Sequence, residues 1–66
     1  MSEEYISLAN LIYTNIDTIL ENDNISLFIK NSENIINKYT KIFPNLNYHE
    51  IISIYISMTF YFYNSF

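Results

Sequence analysis

The sequence predicts an all-α protein of three helices, over about 2–21, 24–43 and 48–63, folded as a hairpin or bundle and completed by homodimerisation. Three observations carry this. An apolar stripe recurs at helical spacing through the first segment, and a second stripe is closed by the only proline. The charge-free ending IISIYISMTFYFYNSF then follows a helix-capping pair.

The first element is the clearest. Ser2 can cap a helix whose first turn holds Glu3 and Glu4, where the helix dipole favours acids. Placed at steps of about 100°, Leu8, Ile19, Ile12, Tyr5, Ile16, Ala9, Leu20, Tyr13 and Ile6 fall in one arc. Asp17, Asn10, Glu21, Thr14, Ser7 and Thr18 fill the other side, and only Leu11 strays into that polar half. The cluster Glu21-Asn22-Asp23-Asn24 ends the helix, because Asn and Asp side chains compete for backbone hydrogen bonds.

In the second element Ile35, Ile36, Tyr39, Ile42 and Phe43 share a stripe opposite Glu33, Asn37, Lys38 and Lys41. Pro44 closes it, since the residue before a proline is pushed off helical geometry. Ile25 and Phe28 keep the same phase while Leu27 does not. One helix from about Asn24 is therefore expected; the alternative is an extended piece over 25–30 ahead of a helix capped by Ser32.

The ending satisfies two periods. As a strand, Ile52, Ile54, Ile56, Met58, Phe60 and Phe62 alternate with Ser53, Tyr55, Ser57, Thr59, Tyr61 and Tyr63. As a helix, Glu50, Ser53, Ser57, Tyr61 and Asn64 form one narrow polar stripe. Asn47 and Glu50 have capping-box spacing, and the run exceeds the ~5–6 residues of an average strand. A lone strand would also leave its edges unpaired. Helix is predicted; the lesser alternative is two helices plus a C-terminal strand paired between chains.

At 66 residues the chain reads as a single small domain, 1–66. A chain of this size buries only about 60% of its unfolded surface. Without cysteine it has no disulfide and no thiolate-bound zinc to staple it, which leaves association. The third helix supports this, because its apolar arc of about 200° exceeds the roughly 100° that one packing face takes. Two short helices cannot cover it, and a symmetric homodimer is the simplest completion.

Composition narrows function further. Hydrophobic residues make up 50% and charged residues 15%, against ~25% in ordinary domains, so the chain is not a disordered one. The absence of glycine excludes Gly-rich phosphate loops and dinucleotide fingerprints. A net charge of −4, with Glu3, Glu4, Asp17, Glu21 and Asp23 unmatched by any base before Lys30, argues against nucleic-acid binding. His49-Glu50 begins like a zinc-protease helix, but Ser53 stands where the second histidine is needed. Ser53 and His49 lie one turn apart without the oxyanion hole that acyl transfer requires. Neither metal nor cofactor is expected, and so small a core leaves little room for a substrate pocket of several hundred Å³. The chain is expected not to be an enzyme and to take no small-molecule substrate.

The remaining expectation is non-catalytic protein–protein interaction, by self-association or docking on a larger partner. Tyr55, Met58, Phe62, Tyr63 and Phe66 are the candidate apolar contacts, since aromatic side chains dominate interface cores. The alternative is a small acidic inhibitor or immunity-type protein. It would offer Glu4, Asp17, Glu21 and Asp23 to a basic site on a nucleic-acid enzyme or toxin. Peripheral membrane association comes third, because the uncharged ending falls short of the ~20 residues of a span. No basic stretch precedes an apolar run at the N-terminus, so a cytoplasmic location is expected. The wealth of Ile, Asn, Tyr and Phe resembles proteins of A+T-rich genomes such as those of phages and large viruses, in which case the location is the host-cell cytoplasm.

Overall fold

A computed structural model describes residues 3–21 and 24–65. The chain forms four helices in order: α1 (Glu3–Thr14), α2 (Ile16–Leu20), α3 (Ile25–Ile42) and α4 (Tyr48–Ser65). The fold is all-α, and among the described residues there is no strand. The ambiguous ending is therefore a helix rather than a strand paired between chains.

The expected count of three helices needs correction, because the first one is divided at Asn15. That residue sits at φ −104° and ψ 9°. Its amide reaches the carbonyls of Leu11 (3.2 Å) and Ile12 (3.1 Å) together, and its Nδ2 donates to the Leu11 carbonyl at 2.8 Å. One residue earlier Thr14 Oγ1 donates to the Asn10 carbonyl at 2.7 Å. Side chains that take backbone carbonyls compete with the helical ladder, which gives way where two such residues stand together. The apolar stripe nevertheless runs unbroken through the bend: Leu8, Ile12, Ile16 and Ile19 are all buried. Leu11, expected in the polar half, is half-buried against the core, whereas Ile6 and Tyr13 from the apolar arc are exposed. The arc is wider than the face that packs, so its centre misplaces the core side by about one residue.

α3 is one continuous helix. Asn24 caps it, Oδ1 accepting from the amides of Ser26 (2.8 Å) and Leu27 (3.2 Å), which satisfies two of the unpaired N–H groups of a first turn. No extended piece precedes a cap at Ser32. Phe43, at φ −119° and ψ 71°, leaves helical geometry ahead of Pro44 as the steric rule requires. The short connection is also part of the interior: Phe43 and Leu46 are buried, and Asn45 Nδ2 donates to Glu4 Oε1 at 2.8 Å, tying the turn to the start of α1. α4 begins with a complete capping box. Asn47 Oδ1 accepts from the Glu50 amide at 2.9 Å, and Glu50 Oε1 accepts from the Asn47 amide at 3.0 Å.

α4 is the central element and packs against α1, α2 and α3. Its line Ile51, Tyr55 and Thr59 is buried, facing Leu8, Ile12, Ile16 and Ile19 on one side and Ile36 and Tyr39 on the other. Ile42, expected on the packing stripe of α3, is exposed.

Removing the capping box tests how much of α4 depends on its start. Asn47→Ala is expected to cost about 1 kcal/mol and lower the thermal midpoint by about 4–8 °C, as followed by circular dichroism. An unchanged midpoint would show that the box contributes nothing.

Candidate functional site

α3 and α4 form an antiparallel hairpin, and the groove between them has a volume of about 650 Å³. Its floor is Ser32 and Ile36 from α3 with Ile52, Tyr55 and Thr59 from α4, buried or half-buried. Its walls are exposed: Ile25, Ile29 and Glu33 on α3, and Ile56, Phe60 and Tyr63 on α4. Leu20 and Phe28 complete the lining, in which Glu33 is the single charged residue.

The groove follows from the width of the α4 arc. One flank of α4 is taken by α1: the rings of Tyr13 and Phe62 lie 5.5 Å apart, and Met58 borders a smaller hollow of about 530 Å³ with Tyr5 and Ala9. The opposite flank meets α3 only along the Ser32, Ile36 and Tyr39 line, which leaves the next stripe of each helix uncovered. Ile25 (75%), Ile29 (52%), Ile56 (53%), Phe60 (67%) and Tyr63 (71%) remain exposed. Together they open on the order of 500 Å² of apolar surface, at the usual areas of such side chains.

The polar atoms of the floor find partners within the chain. Ser32 Oγ and Tyr55 Oη share a buried hydrogen bond of 2.8 Å, and Thr59 Oγ1 donates back to the Tyr55 carbonyl at 2.9 Å. Burial raises the Tyr55 hydroxyl above its ordinary pKa of 10.0, and the bond from Ser32 offsets part of that rise. Tyr39 is raised as well, chiefly by burial and secondly by the neighbouring Tyr55.

The residues expected to make apolar contacts do not share one face. Tyr55 is core, only 2% exposed, and reaches the groove as part of its floor. Met58 and Phe62 are half-buried on the α1 side, whereas Tyr63 is exposed on the groove. Phe66 and Asp23 lie outside the described residues. The acids do not gather either. Glu4 is half-buried beside Asn45, while Asp17 and Glu21 are exposed on or next to α2, roughly 20 Å away at 1.5 Å per helical residue. Sequence reasoning passed over Ile25, Ile29, Ile56 and Phe60. Their signal is a pair of adjacent stripes, Ile25 and Ile29 at i, i+4, and Ile56, Phe60 and Tyr63 at i, i+4, i+7.

His49 and Ser53 are both exposed, and the His49 ring lies 6.3 Å from that of Tyr48. Among the described residues no three of His, Cys, Asp or Glu come together as a metal site, and no helix is long and apolar enough to cross a membrane. No protein family, curated protein or solved structure compared with the chain matches it.

Two expected outcomes follow from the floor. Ser32→Ala and Tyr55→Phe each strand a buried hydroxyl and are expected to cost about 1–3 kcal/mol. The double variant should cost little more than either single one; additive losses in urea titration would show that the two hydroxyls are not coupled. Stability should also depend on pH. With folded-state pKa values above 10.0, Tyr39 and Tyr55 keep their protons after the unfolded chain has released them. Their contribution is thus fully present below pH 10 and is lost as pH rises through the folded-state values. The urea midpoint should be level near neutrality and fall above about pH 10, less steeply in Tyr55→Phe.

Proposed function

We propose that this chain is a non-catalytic protein–protein interaction domain whose contact surface is the groove face of α3 and α4. The observation that carries this is the set of five large apolar side chains left open on one face around a concave floor. An open patch on the order of 500 Å² is at the upper end of what monomeric soluble proteins expose, and patches of that size are commonly functional. The total accessible surface agrees in scale. It is 4920 Å² for a 7.9 kDa chain, against about 4400 Å² for a compact monomer of that mass, so the chain as a whole leaves more surface open than its size requires.

The chemistry of the face suits recognition. Phe60 and Tyr63 are rigid rings of the kind that anchor interfaces, flanked by the three isoleucines, and one carboxylate stands at the edge. The floor hydroxyls are bonded within the chain and make no demand on an occupant. The dispersed acids of α1 and α2 form no comparable surface, so the apolar face is the better-supported contact.

A photo-reactive phenylalanine analogue tests this in the producing cells. Placed at Phe60 it is expected to give a covalent protein adduct, and placed at Thr18 on α2 it is not. No adduct from position 60, or equal adducts from both positions, would overturn the assignment.

A further inference from the structure

We infer that the occupant of the α3–α4 groove is a second copy of this chain, seated with its α4 antiparallel to the first across a two-fold axis. This rests on the reading of the groove as an interaction surface and names its partner.

The geometry is self-complementary. The exposed ridge Ile56, Phe60 and Tyr63 stands beside the floor line Ile52, Tyr55 and Thr59 on the same helix. When two α4 helices run antiparallel about the middle of the groove, one register places Phe60 over the second copy's Tyr55, Ile56 over its Thr59 and Tyr63 over its Ile52. The ridge thus lies along the floor line, in which Ile52 is half-buried and Tyr55 and Thr59 are already closed within the chain. A two-fold interface repeats each contact in reverse, so every such match occurs twice. The i, i+4, i+7 spacing of the ridge is also the pattern by which an amphipathic helix anchors in a groove.

Charge favours the same occupant. A chain of net charge −4 repels its copy across most approaches. Glu3, Asp17 and Glu21 lie on or beside α1 and α2, and α4 carries no charged side chain after Glu50. The groove face carries Glu33 alone, so two copies meeting there oppose few like charges. A basic helix entering it would find one carboxylate and otherwise lose its hydration unpaired.

Area is sufficient. Closing the open apolar surface of both copies buries on the order of 1000 Å², about the area a specific interface must clear.

Size-exclusion chromatography with light scattering on the full chain, from micromolar to about 100 µM, tests this. The wild type is expected to be a dimer in that range. Phe60→Glu and Ile56→Glu change exposed residues, so they should keep the helical circular dichroism while weakening association by at least about thirtyfold. Because the chain has no cysteine, Ile56→Cys should oxidise to a disulfide-linked dimer, and Thr18→Cys should not. A wild type that stays monomeric at 100 µM overturns the inference, as does a dimer indifferent to Phe60→Glu or cross-linking equally through Thr18→Cys. A monomer that still yields an adduct to another protein from position 60 refutes the second copy alone. A monomer with no adduct refutes the interaction surface as well.

Discussion

The structure depends on one constraint: α4 has more apolar circumference than the rest of a 66-residue chain can cover. From Ile51 onward it has no charged side chain, and only the narrow stripe of Ser53, Ser57, Tyr61 and Asn64 is suited to open water. The fold responds by placing α4 at the centre and laying the other helices around it. α1 and α2 take one flank, α3 takes the other, and the turn between α3 and α4 folds Phe43 and Leu46 under the start of the helix. Even so, the stripe through Ile56, Phe60 and Tyr63 stays open. Surface-to-volume scaling makes this a general limit, since small chains run out of interior before they run out of apolar area.

What shapes the covering elements is the polar chemistry of short side chains. Asn24 and the Asn47–Glu50 pair start helices by satisfying their first amides, and Pro44 ends one by steric exclusion. The chain has no glycine, and α2 and α3 close at Glu21 and Phe43 instead. Asn15 does the opposite within a helix, and there the effect is useful. Across the break α1 and α2 both pack on α4, and Leu8, Ile12, Ile16 and Ile19 stay on the inner side.

Much of this was legible before any coordinates. The helical class, the boundaries near Asn24, Phe43 and Tyr48, and the capping box are local properties, written in neighbouring residues. The break at Asn15 was present as the Asn10, Thr14 and Asn15 cluster, but a side chain's preference for a backbone carbonyl over solvent depends on the packing around it. The candidate face was half legible. An apolar arc of excess width says that something must cover it, yet periodicity cannot say which edge the neighbouring helices take. Met58 and Phe62 went to α1 and Tyr55 to the core, so the open stripe was the one beside them. Ile25, expected in phase with the packing stripe of the second helix, is 75% exposed, and it and Ile29 belong to the face because the hairpin brings the first turns of α3 beside the last turns of α4.

The floor of the groove explains why an apolar cover fits it. A concave surface that buried unpaired hydroxyls would need a partner with matching donors and acceptors, and an apolar ridge would leave them stranded at a cost of about 1–3 kcal/mol each. Here Ser32 and Tyr55 bond to each other and Thr59 bonds to its own helix. Their polar atoms are settled before anything arrives, and what they present outward is carbon. Covering the floor with isoleucine and aromatic side chains therefore removes apolar area from water and orphans no hydroxyl. The same bonds that complete the core of this small domain leave its open face ready for an uncharged helix, and α4 of a second copy is such a helix.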